Sequence, residues 1–414
     1  MKLSLYGQQM AVPSAIAELM HDLGDALNNN PDLLFLGGGN PAVIPEVSAI
    51  FREHIRALCD DDVTLEKWLG VYQSPQGSEP LLAAMAVYLQ AQGWPVSEKN
   101  LVVVNGGQTA CHRLFNLLAG KNDAGTAFVH LPLVPEYVGY RGQIMGGDAF
   151  VVSRPIVEIL SSTRFCYQLD KTAFALNEAS AAVCLSRPTN PSARVLPLAD
   201  MEWLYKQAQA AGVPLILDSA YGAPFPNIMA ADEAMVWHTG MVTILSASKL
   251  GLPGLRTAVV VADEAIVDLL TRAGAVENLA AGNTGALLLE RLLVSGDIDN
   301  ITRLIAAFYA HKREQMLALL DEALVSTPYK IHQPDGAFFI WLWLPNLPIS
   351  SQALYERLKA RGVLVMAGEA FFFGLDDTWS HGRECIRLNL CQDKAVMVAA
   401  VAIIADEVKK AYAE

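Results

Sequence analysis

A lysine amine does one thing no other side chain does well: it forms a Schiff base with an aldehyde. Lys249 is placed for such work, in Ser246-Ala247-Ser248-Lys249-Leu250-Gly251-Leu252-Pro253-Gly254-Leu255-Arg256, between the apolar runs Met241 to Leu245 and Ala258 to Val261. Other stretches that could do chemistry also follow apolar runs. Asn105-Gly106-Gly107-Gln108-Thr109 opens a helical pattern, where outward N–H groups and the helix dipole suit a phosphate. Pro135-Glu136-Tyr137 presents a flat ring that could stack. Pro188-Thr189-Asn190-Pro191 locks a turn around one amide. Asp218-Ser219-Ala220-Tyr221-Gly222 closes a buried run with a carboxylate. Such a group needs an arginine, a helix cap or a protonated ring nitrogen. Arg387, in Ile386-Arg387-Leu388-Asn389, carries the planar fork that grips a carboxylate. In Leu36-Gly37-Gly38-Gly39-Asn40-Pro41, three glycines let a backbone pass close to a ligand. Taken singly, each also reads as an ordinary loop lysine, turn, packed tyrosine, paired aspartate or surface arginine.

The elements that must position these residues are legible in the periodicity. Short apolar runs recur at Leu101–Val104, Ala127–Leu131, Ala149–Val152, Ala182–Leu185, Pro214–Leu217, Val242–Leu245 and Ala258–Val261. Helical patterns such as Gln108–Leu118 and Ala199–Ala211 separate several of them. Continuous apolar strands with intervening helices predict an α/β fold around a mainly parallel sheet covered on both faces. Ligands of such sheets bind at the carboxyl ends of the strands. A helix is expected from Ser14 to Leu27, and a helical stretch over residues 284–325 connects to a second, mixed domain. That domain is expected to hold strands at Ala337–Leu344, Val363–Met366 and Cys385–Leu390, a helix at Ser351–Arg361 and a terminal helix from about Asp393.

Composition narrows the function. The chain has 414 residues, 52% hydrophobic and 18% charged, which fits a core-rich protein of two domains. Its formal net charge of −13 argues against a nucleic-acid binder, which needs a basic face. The six cysteines form no CxxC pair, and no Cys/His cluster has metal-ligand spacing; reduced thiols, a cytoplasmic setting and no metal are expected. Met1 to Gly7 lacks the apolar core of a signal peptide, and the apolar run Phe338 to Leu344 is too short to span a bilayer. Neither GxGxxG nor GxxxxGK[ST] is present, so dinucleotide and triphosphate binding are not supported.

In this order, the motifs resemble those of the class I/II aminotransferases, fold-type I pyridoxal-phosphate enzymes. The resemblance covers nearly the whole chain. It also takes in Tyr72-Gln73-Ser74-Pro75-Gln76-Gly77 and Ala337-Phe338-Phe339-Ile340-Trp341-Leu342-Trp343. It implies a large cofactor-binding domain (51–295) with a mainly parallel seven-stranded sheet, a smaller α/β domain (296–414), and an N-terminal segment (1–50) packed on the latter. It implies pyridoxal 5'-phosphate held by Lys249, with Asp218 on the pyridine nitrogen, Tyr221 and Asn190 on the ring oxygen, and Tyr137 on the ring face. Gly107, Gln108, Ser246, Ser248 and Arg256 would surround the phosphate. Tyr72 would reach a phosphate across a homodimer interface. Arg387, with Gly39 and Asn190 beside it, would hold the substrate carboxylate.

Two positions depart from the family's pattern. Ser192-Ala193 stands where Thr-Gly is common, and Val71 precedes Tyr72 where asparagine is usual. One carboxylate clamp and the apolar candidates Tyr6, Ile16, Phe371 and Phe372 suit a small aliphatic amino acid and a keto acid, and the resemblance implies a pair of the valine–pyruvate kind. A lyase reaction, or amino transfer with another specificity, would use the same cofactor residues.

Overall fold

The computed structural model describes residues 1–12, 16–17, 33–230, 233–375 and 378–414. The helix expected over 14–27 therefore lies outside the described residues, apart from Ile16 and Ala17.

The described residues form an eight-stranded central sheet. Across it run Leu101–Val104, Ala258–Val261, Met241–Ser246, Leu215–Asp218, Ser180–Ser186, Gly125–Leu131 and Phe150–Val152. All neighbours in this series are parallel except at Ala258–Val261, which pairs antiparallel on both sides. The seven runs predicted from sequence are these seven strands. The eighth, Gly120–Asn122, is a short polar edge strand in a hairpin with Gly125–Ala127, too brief and hydrophilic to show as an apolar run. Strands such as Leu101–Val104 and Met241–Ser246 are buried along their whole length, which is why they read as continuous rather than alternating hydrophobics. The helices Gly107–Leu118 and Leu198–Ala211 begin within a residue of the predicted positions.

Register aligns the strand ends. Ile244 pairs with Asp218, and Asp218 with Ser186, so three carboxyl-terminal positions lie side by side. The antiparallel strand contributes its start instead: Ala258 pairs with both Val104 and Ser246. Arg256, two residues before that strand, thus reaches the same rim as residues that follow theirs.

The second sheet has six strands, in the order Met366–Ala367, Cys385–Asn389, Phe339–Trp343, Lys330–His332, Arg164–Gln168 and Ile156–Ile159. The last two are a hairpin from residues 156–168, inside the 51–295 segment, that crosses over to pair beside Lys330–His332. Sequence reasoning passed over this hairpin. Ile156–Ile159 is largely exposed and lacks an apolar run, so only tertiary pairing reveals it. Tyr167 fastens it to the sheet. Its hydroxyl accepts from Trp341 Nε1 at 2.8 Å and lies 2.6 Å from His381 Nε2. Helices Asp297–Ala323 and Ser351–Ala360 both pack on the terminal helix Lys394–Tyr412. The N-terminal segment joins this part of the molecule, with Leu34–Phe35 pairing parallel to Val363–Leu364.

Candidate active site

The strand–helix turn after Leu101–Val104 lies against Arg256. Gly106 has a positive φ of 89°, and a Cβ built on it would collide with the Arg256 guanidinium. Only glycine permits both the backbone shape and the approach. A Cβ on Gly107 would lie 4.0 Å from the Cβ of Ser246. Ser246 caps the short turn Ala247–Leu250 by accepting from the Ser248 amide at 3.2 Å. Gly107, Ser246, Ser248 and Arg256 thus meet at one helix N-terminus, a set of donors fit for a phosphate.

The same turn holds Lys249. Its Nζ donates to the Gly39 carbonyl at 2.6 Å and lies 5.4 Å and 5.6 Å from the ring centroids of Tyr221 and Phe338. Burial pulls its pKa from 10.5 down to about 8, against the opposing pull of Cys391 and Asp218. A neutral amine, the nucleophilic form, is therefore accessible near neutral pH.

Asp218 is buried at the end of its strand. It accepts from Tyr140 Oη at 3.0 Å and from the Ala220 amide at 3.2 Å. Burial raises its pKa despite these two donors and the positive charge of Lys249. Among the described residues no arginine or lysine pairs with it at salt-bridge distance, so an ion pair does not explain this strand-end aspartate. A protonated ring nitrogen would suit the place.

Tyr137 and Tyr140 meet edge to face, with centroids 5.4 Å apart. Gly139 between them has no room for a side chain, because a Cβ would enter the Tyr137 ring. Gln108 fixes this turn by donating to the Gly139 carbonyl at 2.9 Å, and its own Oε1 is buried with no hydrogen-bond partner among the described residues.

Arg387 is almost wholly buried, 2% exposed, on the strand Cys385–Asn389. It donates to Asn190 Oδ1 at 2.7 Å and to the Gly37 carbonyl at 2.5 Å. Its guanidinium lies 4.3 Å from the centroid of Phe339 and 5.2 Å from that of Phe371. No carboxylate forms an ion pair with it among the described residues, and its Nε has no partner there. Burial pulls its pKa to about 10. Asn389, two residues on and so on the same face of the strand, donates to the Gly38 carbonyl at 3.2 Å. The strand thus carries the glycine loop over the site, with Gly39 beside Lys249.

The structure brings together Gly39, Gly107, Gln108, Tyr137, Asn190, Asp218, Tyr221, Ser246, Ser248, Lys249, Arg256 and Arg387. Tyr72 is at the surface, 81% exposed. Of the apolar candidates, Phe371 stands by Arg387, while Phe372 is turned to Trp379 and His381 in the C-terminal core. Tyr6 is about half exposed, and Ile16 packs on the core. Sequence reasoning missed Tyr140 and Asn389. The three-residue spacing from the stacking ring and the Arg-x-Asn alternation were the available signals. Ala193 has a φ of 60°, the left-handed region that favours glycine. An alanine thus holds a left-handed position in the turn after Asn190.

The chain also matches known proteins over its length. The family model for aminotransferase class I and II matches residues 37–404. The valine–pyruvate aminotransferase of Escherichia coli (strain K12) is 37% identical over 417 residues, covering 100% of both chains. A putative amino-acid aminotransferase from Psychrobacter arcticum 273-4 superposes with a TM-score of 0.96 at 36% identity, with 100% of each chain covered. A valine–pyruvate aminotransferase from Salmonella typhimurium LT2 does so with a TM-score of 0.88 at 35% identity, covering 97% of this chain and 100% of that one. With these matches over nearly its whole length, and with Lys249, the strand-end Asp218 and the buried Arg387 gathered in one region, the chain belongs to the class I and II aminotransferases, with the fold-type I architecture.

Proposed function

We propose that this aminotransferase moves an amino group between a small aliphatic amino acid and a keto acid, with valine and pyruvate as the pair, on pyridoxal 5'-phosphate. The observation that carries the reading is Arg387: a buried guanidinium, unpaired with any carboxylate among the described residues and walled by Phe339 and Phe371. A substrate carboxylate supplies the missing anion, and the aromatic wall favours an aliphatic over a charged side chain. The relatives from Escherichia coli and Salmonella typhimurium, named for valine and pyruvate, support the same choice.

The donor set fits the cofactor. Gly107, Gln108, Ser246, Ser248 and Arg256 would hold its phosphate, Asp218 its ring nitrogen, Asn190 and Tyr221 its ring oxygen, and Tyr137 its face. When bound, pyridoxal phosphate supplies the electron sink that makes a Cα proton removable. The chain supplies the rest. Lys249 would hold the cofactor's aldehyde carbon, and its amine, once freed by the amino donor, would move a proton between the substrate's Cα and the cofactor. Asp218, its charge costly where it is buried, keeps a positive partner in place. Burial pushes the Tyr221 phenol well above its usual range, so it remains a donor rather than a phenolate. Arg387 and Asn190 fix the carboxylate and so the direction of the Cα–H bond.

A homodimer in which Tyr72 reaches the partner's phosphate belongs to this proposal, supported by the exposed apolar Leu69 and Val71 beside Tyr72. So does a cytoplasmic setting, supported by six free cysteines. Among the described residues no helix is long and apolar enough to cross a membrane. The test is a single-turnover panel of amino donors, followed by the change of the cofactor's absorbance to the amine form. Valine and alanine should convert it. Aspartate or glutamate favoured tenfold over valine would overturn the specificity, and pyruvate or ammonia released without that change would overturn amino transfer.

A further inference from the structure

Glu136 sits between the stacking ring and the strand end, and nothing assigned above uses it. It is 1% exposed, and among the described residues no cation forms an ion pair with it. Its carboxylate instead collects neutral donors. Oε1 accepts from the Ser186 amide at 2.7 Å, and Oε2 accepts from Ser186 Oγ at 2.7 Å and from the Tyr137 amide at 2.9 Å. Burial pushes its pKa up to about 8, and Asp218 adds to that rise. Both protonation states keep the group engaged: the ionised form accepts all three bonds, and the acid form can turn its proton to Ser186 Oγ while still accepting from the two backbone amides.

The bonds continue outward. Ser186 Oγ accepts from the Asn190 amide at 3.1 Å, and the Ser186 carbonyl accepts from Thr189 Oγ1 at 3.1 Å. The turn carrying Asn190 is therefore fastened to Ser186 by two bonds, from Thr189 and from the Asn190 backbone. Asn190 Oδ1 in turn receives Arg387 at 2.7 Å. A second tie runs through the backbone: the Glu136 amide donates to the Phe371 carbonyl at 3.0 Å, and the Phe371 ring flanks the Arg387 guanidinium. Glu136 is thus joined by its carboxyl group to the stacking tyrosine and the Asn190 turn, and by its backbone to the wall of the clamp.

From this we infer that Glu136 is a positioning residue for carboxylate recognition, acting through Ser186 on Asn190 and, through Asn190, on Arg387. The inference rests on the assignment of Arg387 as the carboxylate clamp. A glutamine cannot replace it. Whichever way its amide is turned, an NH2 faces either the Ser186 amide or the Tyr137 amide, donor against donor.

The test measures binding without turnover. Calorimetry with 3-methylbutanoate, a carboxylate with an aliphatic tail and no amine, is run on the cofactor-loaded wild type, Glu136→Gln, Ser186→Ala and the double variant. Each single change should weaken binding about tenfold while cofactor stays bound. The double variant should be little worse than either single, because both cut one relay. In turnover, KM for valine should rise more than kcat falls. Wild-type affinity in both single variants, or losses that multiply in the double, would overturn the relay. If Glu136→Gln fails to fold, Ser186→Ala decides, since it leaves both backbone N–H bonds to Glu136 intact. Wild-type protein that binds no 3-methylbutanoate yet converts valine would overturn the clamp while sparing amino transfer. Wild-type protein that binds the acid but converts no donor would do the reverse.

Discussion

Two arginines on opposite sides of the site solve the anion problem differently. Arg256 lies on the rim of the central sheet, exposed and in the left-handed conformation, with one long bond of 3.3 Å to the Pro253 carbonyl. Arg387 lies on the second sheet, buried, with two short bonds and two aromatic faces. On the proposed assignment the rim site would share its work among backbone N–H groups and hydroxyls, making the arginine there one contributor among several. The clamp has a single cation in a dehydrated place, where each interaction is stronger and each omission dearer. A permanently held group suits the first design. A substrate that must bind, be oriented and leave suits the second.

The deepest separation between the two regions comes from Lys249→Ala. On the proposed assignment, removing the rim lysine would take away the Schiff base and the proton carrier, so turnover should fall by about 10⁴-fold or more. Carboxylate binding at Arg387 should survive, measured with 3-methylbutanoate. A variant that transaminates at the wild-type rate would break the assignment. The intact protein offers a finer form of the test. In cofactor-free protein, capture of the aldehyde needs the neutral amine, so its rate should rise with pH through about 8. A midpoint at the ordinary lysine value would show that burial does not act on Lys249 as the geometry requires.

Arg387→Met inverts the pattern. Cofactor absorbance should remain, while kcat/KM for valine should drop by about 10²- to 10³-fold, the cost of leaving a carboxylate without its buried partner. Loss of cofactor with retained carboxylate binding would mean that the two regions have been exchanged.

The legibility of these regions in the sequence follows the same division. Rim residues follow apolar runs that are buried on both faces, so strand ends at Asp218 and the turn at Lys249 could be placed from pattern alone. Arg387 was marked by its apolar neighbours Ile386 and Leu388, but its burial was not, since a strand arginine reads equally well as a surface residue. Which residues assist was hidden throughout. Tyr140 looks like core packing until its hydroxyl is seen on Asp218. The hairpin Ile156–Ile159 and Arg164–Gln168 gives no local sign that it belongs to the other sheet. Such facts depend on long-range pairing, to which periodicity is blind.

Tyr140→Phe asks how far the rim depends on a single neutral bond. Asp218 keeps the Ala220 amide but loses its buried hydroxyl donor, worth about 1.5–3 kcal/mol to a charged acceptor. The Asp218 carboxyl, already raised by burial, should rise further. It would then hold a pyridinium less firmly, and kcat should fall about tenfold, with the loss greatest at the acid end of the pH profile. A flat ratio to wild type across pH would mean that Tyr140 only packs.

The smallest effect belongs to Arg256→Gln, and it decides whether the comparison between the arginines holds. An exposed cation is screened by salt and shares its anion with N–H groups that the substitution leaves in place. Cofactor affinity should therefore fall only about threefold at moderate ionic strength. Raising the salt should weaken the wild type more than the variant, closing that gap, because the variant has already lost the screened charge. Valine recognition by the loaded enzyme should be unchanged, since Arg387 is untouched. A hundredfold loss of cofactor, insensitive to salt, would show that Arg256 acts as a dehydrated clamp like Arg387, and that the exposed rim closes over its phosphate when the cofactor is bound.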